Sequence, residues 1–151
     1  MGKPCAKISV QLADIYLDPV DPRKSTEVVR ITVTNLGDRR FVVSEIGWIV
    51  GLFKKEYVYQ RLDGVVGVVP LPHILEHGET QSLIIHVGEV HDAQSWVRAF
   101  TEVMLRGRGK LGTLTLRAKA SITTGKVFLA TPGKSLIRSF KWALQQPSPT
   151  F

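Results

Sequence analysis

The residues of this 151-residue chain whose types could do chemistry are four histidines, one cysteine, three neighbouring aspartates and a dense set of cations. His73 and His77 stand four apart beside Glu76 and Glu79. That spacing would offer two imidazoles to one metal if the segment were helical. Pro70 and Pro72 precede the pair and Gly78 follows it, which breaks a helix, and zinc would need a third or fourth ligand. His86 reads as an outward strand residue and His91 as the lead into a helix. Cys5 has no histidine beside it, and no Gly-x-Ser-x-Gly elbow occurs. Asp14, Asp18 and Asp21 lack the Asp-x-Asp-x-Asp-Gly pattern of a calcium loop, so they read as solvated turn acids. Gly107-x-Gly109 follows a helical pattern and carries no Lys-Ser or Lys-Thr, so it is not a phosphate loop. The expectation is a non-enzyme with no catalytic residue, no metal site and no cofactor.

The cations carry more information. Twenty Lys and Arg against thirteen Asp and Glu give a net charge of +7. Such a field favours nucleic acid, anionic lipid or acidic proteins, and equally keeps a protein soluble. Arg106, Arg108 and Lys110 share one segment, Arg117 and Lys119 one strand face, and Lys134, Arg138 and Lys141 one helix. Brought together in space, the three sets would form a continuous positive surface for phosphates, with a steep salt dependence. Two points weigh against that. No aromatics interleave the basic strand residues as they do in single-strand binders, and solvated faces explain most charge runs. Trp48 shares the parity of a core strand, and Trp96 falls on an apolar helical stripe. Trp142, next to Lys141, falls off its stripe and reads either as a contact for a partner or as cover for a sheet edge. It joins the eight cations as a candidate contact residue.

The elements that must position these residues are mostly strands. A chain of this length forms one domain, 1–151, with its ends, 1–5 and 146–151, expected to be flexible, and can bury roughly 70% of its unfolded surface. A single cysteine rules out an internal disulfide. No apolar run suits a signal peptide or a membrane helix, which points to a cytoplasmic protein, or a virion protein if phage-encoded.

Glu27 to Leu52 reads as two strands joined by one tight connection at Asn35-Leu36-Gly37-Asp38, the central strand pair of a β-sandwich. Val29, Ile31 and Val33 alternate on the first strand. Val42, Ile46, Trp48, Val50 and Leu52 share one parity on the second, with Ser44 as the polar interruption. Ala6 to Leu17 is a strand whose apolar phase slips near Ala13-Asp14, where a bulge or a switch of sheets is expected. A short edge strand follows at Tyr57 to Leu62, then an irregular apolar segment at 65–69. A loop at 71–79 comes next, anchored by Ile74 and Leu75, and a strand at Thr80 to Val87 with Leu83, Ile85 and Val87 inward. The period then changes to helical over about 92–106, with Asp92 as N-cap, Thr101 and Glu102 outward, and Val103 and Met104 inward. This helix crosses between the sheets. A basic loop, 106–110, leads to a strand in which Leu114, Leu116, Ala118, Ala120 and Ile122 alternate. A hairpin partner, Lys126 to Ala130, and a C-terminal amphipathic helix, about 134–145, complete the chain.

This order resembles the immunoglobulin-like sandwiches of small bacterial and phage proteins. The matching residues are Val33-Thr34-Asn35-Leu36-Gly37, Ile46-Gly47-Trp48, the segment from Leu71-Pro72 to Gly78-Glu79, and Ile122 to Phe128. The sequence departs from that pattern in having no inter-sheet disulfide, no tyrosine corner and a long helix between strands. The resemblance implies an immunoglobulin-like antiparallel β-sandwich and an interaction role. The favoured expectation is a protein–protein interaction module, of the kind phage or prophage accessory and virion proteins provide. A nucleic-acid-associated protein using the basic surface is the alternative, and a metal-dependent or hydrolytic enzyme comes third.

Overall fold

A computed structural model describes residues 4–16, 20, 25–60, 71–87 and 95–148. It is mainly β, with two antiparallel sheets layered in the manner of a sandwich. Strands β1 (Ala6–Tyr16), β2 (Ser25–Asn35) and β6 (Thr80–His86) form the first sheet, with β2 in the middle. The second is built on β3 (Phe41–Val50). It pairs with β4 (Glu56–Tyr59), β5 (His73–Leu75) and β7 (Arg117–Ile122), and β8 (Val127–Ala130) lies beyond β7. Helix α1 (Trp96–Phe100) runs straight into a π-helical turn at Thr101–Leu105, and α2 (Lys110–Thr115) follows. Together they carry the chain from the first sheet to the second, the crossing that the change of period implied. Helix α3 (Lys134–Gln145) has the bounds its apolar spacing predicts.

The two central strands lie in different sheets and do not pair. Each is the middle of its own layer, so the tight connection is a bridge between layers. The cause is the Asn35 side chain. Its amide donates to the carbonyls of Arg39 (2.8 Å) and Leu75 (2.9 Å), and its Oδ1 accepts from Gly37 N–H (2.9 Å). One buried residue thus meets two backbone groups of the connection and one of β5, which holds the chain where it leaves the first sheet.

Phase slips are resolved in an unexpected order. The β1–β2 ladder runs without a break from Ala6↔Asn35 to Tyr16↔Ser25, so there is no bulge at Ala13-Asp14. The pairing of β2 with β6 runs from Thr34↔Thr80 to Val28↔His86. The bulge is in β3, between Val43 and Glu45 opposite β7. Phe41 and Val43 are buried before it, and Ile46, Trp48 and Val50 after it. Val42 therefore faces away from the core, and Ser44 is the extra residue, its Oγ donating to Ser121 O (3.1 Å).

Other expectations need correction. Residues 73–75 are a strand, not part of a loop, and only Leu75 is an anchor, since Ile74 is 48% exposed. The cap of α1 is Ser95, whose Oγ accepts from Arg98 N–H (3.3 Å); Asp92 lies outside the described residues. In the π turn Arg106 N–H reaches Thr101 O (2.9 Å), five residues back. That extra residue rotates the next side chains by one place. Thr101 is buried and Val103 is 71% exposed, the reverse of the helical expectation.

Residues 110–115 form a helix, not the start of β7, and Leu114 is 68% exposed. Gly109, at φ 63°, turns the chain into it. Thr115 Oγ1 donates back to Leu111 O (2.5 Å) and Arg117 caps the carbonyls of Leu114 (3.0 Å) and Leu116 (2.7 Å).

Leu83, Ile85 and Val87 point inward as expected, and the Thr124-Gly125 turn joins β7 to β8. The short edge strand ends at Tyr59 within the described residues, while 65–69 lie outside them. Between the layers, Trp48 packs edge-on against Phe100 (5.0 Å), which stacks on Trp96 (4.8 Å) and Phe140 (5.1 Å). Trp48 Nε1–H donates to Gln60 Oε1 (3.0 Å), so the largest core residue leaves no polar atom unmet.

Candidate functional site

Five of the eight candidate cations line one groove of about 1130 Å³, between α2, the start of β7 and α3. Lys110 comes from α2, Arg117 from β7, and Lys134, Arg138 and Lys141 from α3. The α3 set follows from helical spacing: residues four and three apart project from one side. Leu136, Phe140 and Ala143 hold the opposite side in the core. Gly133 fixes where the helix starts, its N–H donating to Val10 O (2.8 Å) and Pro132 bridging to β1. The helical turn at 110–115 is what brings Lys110 and Leu114 to the groove; as a strand, this segment would have carried them away from α3.

Among the described residues no acidic side chain lines the groove and none of the five cations pairs with a carboxylate. Leu114, Pro132, Ile137 and Leu144 supply apolar wall between the charges. A run of like charges on a desolvating wall attracts a counter-charged chain strongly, because low-dielectric walls focus the field.

The other three cations are occupied elsewhere. Arg106 pairs with Glu102 (2.5 Å) and donates to Gln146 O (3.1 Å). The Arg106 hydrogen bond is the main reason the Glu102 carboxyl sits below the usual carboxylate range; burial opposes it, and Ser148 adds a second hydrogen bond. Arg108 pairs with Glu56 (2.6 Å) and donates to Met104 O (2.8 Å). Both arginines tie the helical segment to its surroundings.

Lys119 lies on the outer face of the five-stranded sheet, with its Nζ 4.8 Å from the centre of the Tyr57 ring and 6.0 Å from that of Tyr59. The tyrosines come from β4, two strands away, with Gly47 of β3 between Tyr59 and Lys119 in the register. Spacing along β7 could not reveal this neighbour. The alternation of Tyr57 and Tyr59 on an edge strand was the available signal.

Trp142 is half-buried and packs against the core. His73 sits in β5 and His77 in the turn after it, with His77 Nδ1 bonded to Gly37 O, so the four-residue helical spacing of a two-imidazole site does not exist. Among the described residues no three histidines, cysteines or acids are grouped to hold a metal. The side chain of His86 and the whole of His91 lie outside the described residues, as do Asp18, Asp21 and the side chain of Asp14. Cys5 is exposed, and its carbonyl accepts from Leu36 N–H (2.9 Å) and Gly37 N–H (3.1 Å). No helix among the described residues is long and apolar enough to cross a membrane.

No family model and no curated protein matches the chain. A solved structure described as "X-ray structure of Northeast Structural Genomics Consortium target SoR45" is similar over 85% of this chain and 82% of its own, at 15% identity and a TM-score of 0.31. A superposition that loose bears on neither fold nor function.

Proposed function

We propose that the protein is a non-enzymatic binding module and that its groove takes a nucleic-acid strand. The observation that carries this is the convergence of Lys110, Arg117, Lys134, Arg138 and Lys141 on one surface with no carboxylate among them. Two further facts move the weight from a protein partner to nucleic acid. Trp142, the residue that argued for a protein contact, packs on the core. The missing aromatic neighbours of the basic strand are supplied by β4. A protein partner with an acidic segment is the competing reading, supported by the apolar wall of Leu114, Ile137 and Leu144. The immunoglobulin-like kinship and the phage setting are proposals of the same standing, supported by the layering and the resemblance.

Anisotropy of a labelled 15-nucleotide deoxythymidine strand tests this reading. If all five cations meet phosphates, log affinity against log salt has a slope of roughly −3.5, about a hundredfold loss between 50 and 200 mM salt. The Lys134→Glu/Arg138→Glu protein should bind at least tenfold more weakly at 50 mM salt. Its unfolding free energy should stay within about 0.5 kcal/mol, because neither side chain has a hydrogen-bond or ion-pair partner among the described residues. Absence of binding at 50 mM salt, with binding of polyglutamate instead, assigns the groove to an acidic protein.

A further inference from the structure

We infer that the outer face of the five-stranded sheet is a base-stacking platform continuous with the groove, so that the strand bound is single. The inference rests on the nucleic-acid reading of the groove and specifies it. Tyr57 and Tyr59 stand on one face of β4, 56% and 65% exposed, about 7 Å apart along the strand. Edge-strand tyrosines on a solvent face cost apolar exposure and contribute little packing. A flat ring open on one side is what an unpaired base stacks on.

The register joins this face to the groove. Tyr57, Ile49 and Arg117 lie in one row across β4, β3 and β7, and Tyr59, Gly47 and Lys119 in the next. Arg117 therefore belongs both to the platform and to the groove, about 10 Å from Tyr57 by strand spacing. Gly47 contributes no side chain, which leaves Lys119 a clear path across β3 to the two rings. Space there is tight: a Cβ at Gly47 would lie 2.5 Å from Val58 O. A strand laid along this surface meets Lys119 and Arg117 beside the rings, then the four remaining cations of the groove. A duplex keeps its bases stacked on each other and presents only phosphates, so it could use the groove and not the platform.

Two 15-nucleotide probes separate bases from backbone: a deoxythymidine strand, and an abasic strand with the same phosphates. At 50 mM salt the protein should bind the first at least tenfold more tightly than the second, the order of one stacked base. Tyr57→Leu/Tyr59→Leu should remove that preference and leave abasic binding unchanged. Equal affinity of the unaltered protein for both probes overturns the platform while leaving the groove reading intact. So does a preference that survives both substitutions. Binding of neither probe overturns the groove reading itself.

Discussion

The two ends of β7 treat polar groups in opposite ways. At the Ile122 end, where the chain crosses between layers, Asn35 is fully buried and its amide makes three hydrogen bonds to backbone. Thr123 N–H reaches Val42 O (3.1 Å), and Lys126 Nζ reaches Pro4 O (2.8 Å). At the Arg117 end, five cations face one groove without a carboxylate. Satisfied polar groups lower the energy of one fold. Convergent charge without a protein counter-charge raises it through self-repulsion, which a bound counter-charge relieves. One end specifies structure and the other is disposed for binding.

Substitutions can sharpen or break that contrast. The largest effect is expected for Asn35→Ala. It orphans the buried Leu75 carbonyl and removes the donor to Arg39 O, while Gly37 N–H keeps Cys5 O, and it should cost about 2–3 kcal/mol in urea unfolding. A loss under about 1 kcal/mol would mean that the crossover is held by other contacts. Gln81, in β6, is the exception near the structured end: it is 5% exposed, and neither amide atom has a hydrogen-bond partner among the described residues. Gln81→Met keeps the volume and removes the desolvation cost, so stability should rise by about 1–2 kcal/mol.

Toward the helices, Thr101 Oγ1 is buried without a hydrogen-bond partner among the described residues. Thr101→Val should gain about 1 kcal/mol, and a loss would show that the hydroxyl supports the π turn. The smallest effect is the Glu102 ion pair with Arg106. Its carboxyl titrates lower in the folded than in the unfolded chain. The pair's contribution is therefore present above the ordinary glutamate range and is lost as pH falls through the depressed folded value. Melting temperatures of the unaltered and Glu102→Gln proteins should differ at pH 7, and the difference should shrink as pH falls below the ordinary glutamate range.

Much of the fold was legible where one physical rule acted alone. Helix α3 has one apolar stripe and a glycine before it, and its ends were read correctly. The alternation of Val29, Ile31 and Val33 marked a strand with one buried face. Reading failed where two rules competed. Ser44 looked like a polar residue inside a continuous parity, because Val42 on one side of a bulge matches Ile46 on the other. Leu114, Leu116 and Ala118 alternate as a strand should, yet Thr115 bonds back to Leu111 and the first part is helical. The π turn inserts one residue and exchanges Thr101 with Val103, which no regular period can represent.

Composition and periodicity by themselves determined a mainly β chain with a crossing helical segment, a closing helix and an excess of cations. They did so because burial of apolar side chains imposes a period on each element separately. Which cations meet was decided only by tertiary structure. Lys110, Arg117 and Lys134 lie on three elements, and Tyr57 reaches Lys119 across a third strand. Pairing register and helix docking set those distances. Both depend on contacts between residues far apart in the chain, which local spacing does not encode.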